Sequence, residues 1–153
     1  RGGSGTTYGG MAGDGLSAGF EARRLRRKPG GGTEKRPLVG TPVSGRAQHS
    51  MHMAQGMHSY GSEADFVATL PGADIWLANG LSEAMVRFAA RFEYARTVED
   101  VLARRSRLLF LDARLAAKLA PRVSAILQEE LGSDTALTAF LVLAQQYAGE
   151  KVA

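Results

Sequence analysis

The chain has 153 residues, 44% of them hydrophobic, so it is long and apolar enough to form the core of one domain. It has no cysteine, which excludes a disulfide framework and thiolate chemistry. The net charge of +4 and the pI near 9.8 suit contact with anionic phospholipid or nucleic acid, without deciding between them. No stretch is long and apolar enough to span a bilayer, and the start lacks the apolar core of a signal peptide. Since the first residue is Arg rather than Met, we expect a piece of a longer protein.

The first 27 residues are rich in glycine and then become amphipathic. Met11, Leu16 and Phe20 predict one face of a helix that ends in an arginine cluster, which suits the helix dipole. Residues 13–18 loosely fit a dinucleotide-binding fingerprint, but no buried strand precedes them, so we reject that interpretation. Residues 28–61 are dominated by Pro, Gly and charge, which predicts a flexible connector.

All three histidines lie in this connector, close to methionines: His49, His52 and His58. Thioethers and imidazoles suit a soft metal such as Cu(I). However, a connector fixes no ligand geometry and no carboxylate is placed to orient the imidazoles, so we predict no metal site. Without a histidine in the helical part, a hydrolytic triad is not credible either.

Residues 62–80 predict a short helix and a turn. Ser62 is the expected N-cap, Phe66 and Leu70 belong to the apolar face, and Pro71 and the glycine after it end the helix. The single tryptophan, Trp76, is predicted to anchor the core.

The strongest helical pattern begins at Leu81 and ends at Ala113. Ser82 predicts the N-cap of its first helix. The apolar residues recur at the spacing of one helical face: Met85, Phe88, Ala89 and Phe92. Glu83 stands four residues before Arg87, which predicts an ion pair on the opposite face, beside Arg91.

A second helix is predicted to begin at Thr97, with Asp100 at the position of a capping-box partner, and an arginine-rich run follows. The charged candidates for a structural or docking role are Arg91, Glu93, Arg96, Asp100, Arg104, Arg105 and Asp112. One interpretation is a set of ion pairs within the domain, for example between Asp100 and Arg104. The other is docking onto another part of the protein or onto acidic headgroups. Nucleic-acid binding is disfavoured because the phenylalanines lie at core spacing rather than among exposed arginines.

The last third predicts two further helices. Pro121 suits the first turn of one helix, and Gly132 its end. Asp134 is the expected cap of the last helix. Glu129 and Glu130 are adjacent in the sequence, so they are predicted to point in different directions and to be solvated.

Residues 91–107 read RFEYARTVEDVLARRSR. This string resembles the C-terminal helical domain of FAD-dependent glycerol-3-phosphate dehydrogenases, which typically reads RHExARTxxDxLxRRxR. The match is ungapped, and Phe92 stands where the family commonly has His. Residues 36–40 resemble the family's Leu-Pro-Leu-x-Gly segment that leaves the flavin domain, and residues 57–61 resemble its His-x-Tyr-Gly start of the helical domain.

Residues 2–9, GGSGTTYG, resemble the family's GGKxTTYR, the last loop and helix of the flavin domain. The resemblance assigns cofactor binding to Gly3, Ser4, Gly5, Thr6 and Thr7. Ser4 takes the catalytic position where the family has Lys, and Gly9 replaces Arg. A neutral hydroxyl supplies no positive charge to attract a phosphate or a developing alkoxide, so we predict that Ser4 is non-functional.

The resemblance implies a mainly α fold. It predicts a C-terminal helical bundle domain, preceded by a Gly-rich loop and a helix that belong to the tail of an α/β FAD-binding domain. The expected boundaries are 1–27 for this tail, 28–61 for the connector and 62–153 for the helical domain.

The implied activity is oxidation of sn-glycerol 3-phosphate to dihydroxyacetone phosphate, with electrons passed through FAD to quinone, or to oxygen in an oxidase relative. The implied partners are glycerol 3-phosphate, quinone, the FAD domain and the membrane surface, with no nucleic acid. The expected location is cytoplasmic and peripheral on the inner membrane. This chain alone would be an inactive helical cap domain. The alternative is a stand-alone helical interaction module without catalytic activity.

Overall fold

The computed structural model of the protein describes residues 8–23, 37–41 and 56–149, and the chain divides into two compact units, Arg1–Pro37 and Leu38–Ala153. In the first unit the described residues form one helix, α1 (Tyr8–Arg23). This confirms the predicted helix. Met11 and Leu16 are exposed, and none of the α1 side chains that the structure describes is buried.

The second unit begins with a turn at residues 38–41 and continues with short elements. These are a 3₁₀ helix (Met57–Glu63), the helix α2 (Ala64–Ala68) and the antiparallel strands β1 (Trp76–Ala78) and β2 (Leu81–Ser82). The mainly helical fold class is confirmed. The hairpin is not predicted from the sequence, because strands of two and three residues are too short to show a period of 2.

The remaining elements form the helical bundle. They are α3 (Glu83–Phe92), a π-helical segment (Asp100–Arg105), α4 (Leu108–Leu111), α5 (Ala113–Leu131) and α6 (Leu137–Tyr147). The long helix α5 packs against α3, α4 and α6, so it is the central element of the second unit.

The core lies where α5 meets α3, α6 and the π-helical segment. Its largest fully buried apolar side chains include Leu102, Leu109, Ile126, Leu127 and Phe140. Each such side chain contributes about 1.5–3 kcal/mol by leaving water. Ser124 and Thr135 are also buried, and their hydroxyl oxygens are 2.6 Å apart, so the loop between α5 and α6 is hydrogen-bonded to α5.

Pro121 does not begin a helix, contrary to the prediction, but lies inside α5. A proline inside a helix costs about 3 kcal/mol because it removes one hydrogen bond and crowds the preceding turn. The buried face of α5 continues on both sides of it: Ala116, Ala120, Val123, Ile126 and Leu127. Burial of this continuous face outweighs the cost of the proline.

Trp76 does not anchor the core, contrary to the prediction. It lies on β1 and is 53% exposed, while the two following residues of the strand are partly buried. Phe92 also differs from the expected buried face of α3: Met85, Phe88 and Ala89 are buried, whereas Phe92 is about half exposed at the end of the helix.

Candidate functional site

An aromatic cluster joins the start of the second unit to α3. The ring of Phe88, which is buried, lies 5.1 Å from the ring of Tyr60, 6.2 Å from that of Phe66 and 5.1 Å from that of Phe92. Three of the four ring contacts in the cluster are edge-to-face, which is a favoured geometry for aromatic pairs. The cluster therefore holds the 3₁₀ helix and α2 against α3.

A cleft of about 220 Å³ lies beside this cluster, between the 3₁₀ helix, α3 and the π-helical segment. Tyr60, Glu93 and Arg105 line its polar part. Burial, with a smaller contribution from the nearby Glu93 carboxylate, raises the pKa of Tyr60 to about 12, against the lowering effect of Arg105. The phenol is therefore protonated at neutral pH and is available as a donor.

Arg105 fixes the wall of this cleft. Its Nε donates to the Glu93 carboxylate at 3.1 Å, and its Nη2 donates to the Glu93 backbone carbonyl. Its Nη1 donates to the backbone carbonyl of Asp100 at 3.1 Å. The side chain thus ties the end of α3 to the π-helical segment.

Thr97 and Asp100 form the predicted capping box. The Thr97 N–H donates to Asp100 Oδ2 at 2.9 Å, and the Asp100 N–H donates to Thr97 Oγ1 at 3.2 Å. Arg96 N–H and Arg104 Nη1 also donate to the Asp100 carboxylate, at 3.0 and 2.7 Å. Partial burial alone would raise the pKa of Asp100, but these hydrogen bonds lower it below its usual value. Arg104 makes a second ion pair with Glu99 at 2.7 Å.

Tyr94 connects α3 to this capping box in an unusual backbone conformation. Its φ is 58°, in the left-handed region that non-glycine residues seldom adopt, and its side chain is strongly exposed. The Arg96 guanidinium lies 5.7 Å from the centre of the Tyr94 ring. This places a cation–π pair at the surface.

Glu83 does not pair with Arg87, contrary to the prediction. Its buried carboxylate accepts two hydrogen bonds from Arg122 on α5, at 2.7 and 2.8 Å. Gly72 packs against Glu83 with a φ of +81°, and a Cβ there would collide with the Glu83 side chain. Side-chain burial against α5 therefore decides the partner, which spacing along one helix could not reveal.

Arg87 and Arg91 pair with the two adjacent glutamates of α5. Arg87 donates to Glu129 at 2.7 Å and to Glu130 at 2.8 Å, and Arg91 donates to Glu130 at 2.6 Å. The prediction that both glutamates are solvated is therefore wrong for Glu130. The hydrogen bond from Arg91 lowers the pKa of Glu130, against the opposing effect of partial burial, and the hydrogen bond from Arg87 lowers it further.

Two glycines bring together the segments that resemble the family at residues 36–40 and 57–61. Ser62 N–H donates to the Gly40 carbonyl at 3.1 Å. Gly61 has a φ of +56°, and a Cβ on it would collide with that same carbonyl. The two segments therefore meet where only glycine fits. The sequence shows the two glycines, but it does not show that they lie face to face.

The structure describes some of the site residues predicted from the sequence and not others. Gly3, Ser4, Gly5, Thr6 and Thr7 lie outside the described residues. Asp112 does not join the arginine group; its Oδ1 accepts the N–H of Leu115 at 2.9 Å and caps α5.

Within residues 8–23, 37–41 and 56–149 no group of His, Asp and Glu could hold a metal ion. In those same ranges no helix combines the length and apolarity needed to cross a membrane.

Comparison with known families identifies this architecture. Residues 31–138 match the model of the C-terminal domain of alpha-glycerophosphate oxidase. The chain belongs to this family. The sequence-based prediction of the family is thereby confirmed. No solved structure matches the chain significantly.

Three relatives show the extent of the similarity. Glycerol-3-phosphate dehydrogenase SDP6, mitochondrial, of Arabidopsis thaliana is 33% identical over 158 residues, which cover 84% of this chain and 25% of the relative. Glycerol-3-phosphate dehydrogenase, mitochondrial, of Schizosaccharomyces pombe is 46% identical over 55 residues, 36% of this chain and 8% of the relative. The probable mitochondrial enzyme of Dictyostelium discoideum is 42% identical over 71 residues, 43% of this chain and 11% of the relative. The chain thus spans a quarter or less of each relative's length.

Proposed function

We propose that this chain is the C-terminal helical domain of a FAD-dependent glycerol-3-phosphate dehydrogenase. The observation that carries the proposal is the family match over residues 31–138, together with a relative of that name that aligns with 84% of the chain. The proposed reaction of the whole protein is oxidation of sn-glycerol 3-phosphate to dihydroxyacetone phosphate, with electrons passed through FAD to quinone. The helical domain would serve as a cap that packs on the catalytic part.

The described residues do not fit FAD by themselves. Their sheet is a two-stranded antiparallel hairpin, whereas a dinucleotide site needs a parallel sheet with a Gly-rich turn before a helix. The cleft beside Tyr60, at about 220 Å³, is smaller than the roughly 300–1,000 Å³ typical of drug-sized ligands, and FAD is larger still. We therefore assign no flavin chemistry to these residues and propose that the catalytic part binds FAD.

The proposed setting is the cytoplasmic side of an inner membrane, with the whole enzyme bound peripherally. The basic balance of the chain, +4 at neutral pH, supports contact with an anionic surface. Fractionation of cells in low and high salt checks this: a peripheral protein sediments with membranes and is released by salt. A protein that stays in the soluble fraction at low salt would contradict the location.

The first test is the native gene product. Blotting with an antibody against residues 81–113 should detect a protein several times larger than the 16.3 kDa of this chain. That protein should be purified with bound flavin, which glycerol 3-phosphate bleaches, while the chain of 153 residues should be colourless and inactive. A native product near 16.3 kDa would instead support a stand-alone interaction module. Flavin bound to the short chain would contradict the assignment of FAD to the catalytic part.

The electron acceptor needs a separate assay, because the family description names an oxidase and the relatives are named dehydrogenases. We expect the full-length protein to reduce a quinone analogue rapidly and to form hydrogen peroxide only slowly in air. Peroxide formed in a one-to-one ratio with oxidised glycerol 3-phosphate would assign the oxidase reaction instead.

A further inference from the structure

The exposed rings of Phe66 and Phe92 contact each other where α2 meets the end of α3, and the exposed Tyr94 follows just after α3. We call them the aromatic face: Phe66, Phe92 and Tyr94. The rings of Phe66 and Phe92 are 5.3 Å apart, and Tyr94 follows Phe92 by two residues. Their exposed fractions are 46%, 53% and 81%. An exposed pair of aromatic rings in contact, such as Phe66 and Phe92, is typical of contact sites rather than of open solvent.

Backbone hydrogen bonds of the two residues that follow Tyr94 fix its position. Ala95 N–H donates to the carbonyl of Ala89 at 3.0 Å, and Arg96 N–H donates to Asp100 Oδ2 at 3.0 Å. Tyr94 itself has a φ of 58°, a backbone conformation that costs free energy for any residue with a Cβ. Such strain persists where the surroundings enforce it, and it is common at binding sites. Here it presents an aromatic ring to the outside of the molecule.

Arg96 lies at the edge of the aromatic face. The neighbouring arginines Arg91, Arg104 and Arg105 are paired with carboxylates of their own domain. Among the described residues, no carboxylate lies within ion-pair distance of Arg96, whose guanidinium rests on the Tyr94 ring instead. This edge is therefore complementary to an acidic group on a partner.

The polypeptide reaches the second unit beside the same cluster. The turn at residues 38–41 is hydrogen-bonded to Ser62 and lies against Gly61. The residue before Gly61 is Tyr60, whose ring contacts Phe88 in the aromatic cluster. Since the family model describes a C-terminal domain, the rest of such a protein precedes this turn. The preceding part thus joins the domain next to the aromatic cluster.

We propose that the aromatic face is the surface on which the catalytic part of the whole enzyme docks. This inference rests on the proposed function. The partner surface presents an apolar patch to Phe92 and Tyr94 and a carboxylate to Arg96. Covalent linkage favours this contact, because docking within one polypeptide is intramolecular.

A second exposed aromatic pair provides the comparison. The rings of Phe110 and Tyr147 are 5.4 Å apart, and Tyr147 is 54% exposed. Tyr147 lies beyond residue 138, where the family match ends, and it is on the last helix rather than beside the incoming chain. This pair is the matched control for the aromatic face.

The test uses thiol labelling, because the chain itself has no cysteine. Tyr94→Cys and, separately, the control Tyr147→Cys are introduced into this chain and into the full-length gene product. N-ethylmaleimide labelling of each site is followed by peptide mass spectrometry, so other cysteines do not interfere. In the short chain both thiols should react at similar rates. In the full-length protein the labelling rate of Tyr94→Cys should fall by about tenfold or more, because the docked partner covers this site. The labelling rate of Tyr147→Cys should not change.

Further variants keep the test decisive. Phe92→Cys should be protected like Tyr94→Cys, and an added Arg96→Glu should restore fast labelling of Tyr94→Cys. Equal labelling of Tyr94→Cys and Tyr147→Cys in the full-length protein would overturn the inference. Protection that needs high protein concentration, as for a second copy, or that needs phospholipid vesicles, would also overturn it.

Glycerol 3-phosphate oxidation is measured on the same preparations. Fast labelling of Tyr94→Cys in a full-length protein that oxidises glycerol 3-phosphate would refute the docking surface and leave the proposed function intact. Protection in a protein that holds no flavin and oxidises no glycerol 3-phosphate would refute the proposed function and support the docking surface.

Discussion

Helix α1 has 16 residues and helix α3 has 10, yet among the described side chains of the two helices only those of the shorter one are buried in a core. Seven residues of α3 are buried, and its side chains form ion pairs with α5. The sequence of α1, YGGMAGDGLSAGFEAR, contains five glycines, and none of its described side chains is buried. Helices are stabilised mainly by packing of an apolar face rather than by propensity. The difference supports the proposal that α1 belongs to a different domain of the whole protein.

The largest effect should come from the ion pairs between α3 and α5. Glu130 bridges Arg87 and Arg91 and its side chain is only 9% exposed, whereas the side chain of Glu129 is 51% exposed. Glu130→Gln should lower the free energy of unfolding by about 3 kcal/mol, because Arg87 loses a buried partner. Glu129→Gln should change it by about 0.5 kcal/mol or less. Urea unfolding measures both, and equal effects would show that burial does not govern these pairs.

The substitution Gly72→Ala should have the next largest effect on stability. The φ of +81° at Gly72 disfavours a side chain, and the new Cβ would displace the Glu83 side chain, which pairs with Arg122 on α5. We expect a loss of about 2 kcal/mol in unfolding free energy. Gly132→Ala is the control, because Gly132 also has a positive φ of 63° but has open space around its Cβ position. Gly132→Ala should cost about 1 kcal/mol, and a larger loss than for Gly72→Ala would contradict the role of Glu83.

The acid dependence of stability should sharpen the comparison further. Asp100 and Glu130 both have lowered pKa values in the folded protein. The stability that the two carboxylates contribute is therefore fully present above their unfolded-state pKa values of about 3.9 and 4.3. It is lost as the pH falls below these values and through the lower pKa values of the folded protein. Asp100→Ala should cost about 1 kcal/mol at neutral pH and flatten the acid limb measured by urea unfolding. The exposed Asp74→Asn is the control and should leave that limb unchanged.

The smallest effect should have the opposite sign and lie in α1. Among the residues that the structure describes, no atom outside the helix lies within 4 Å of a Cβ built at Gly13, Gly15 or Gly19. Gly13→Ala should therefore stabilise α1 by about 1 kcal/mol and raise the helix content seen by far-ultraviolet circular dichroism. Ala12→Gly, the reverse change one residue away, should lower it. No change in either variant would mean that α1 is already held by contacts elsewhere.

Local patterns in the sequence predict most of the helices but only some of their ends. Ser62 lies inside the 3₁₀ helix and is not an N-cap, and the N-cap of α6 is Ala136 rather than Asp134. Ser82, Thr97 and Gly132 stand where the structure has an N-cap, a capping box and a left-handed C-cap. These signals are local, because a cap bonds within three or four residues of itself. The run at residues 91–107 also points to the family, which the comparison confirms.

Tertiary structure decided which charged and aromatic side chains meet. Glu83 bonds to Arg122 rather than to Arg87, and Trp76 lies at the surface rather than in the core. Spacing along one helix describes neighbours on that helix only, and it holds no information about which face a second helix covers. The crossing of Gly40 and Gly61 depends in the same way on contacts between distant segments. Sequence alone determined the family and the helix ends that rest on local caps, because those signals lie within a few residues. Long-range packing determined the ion-pair partners and the surface that we propose for docking.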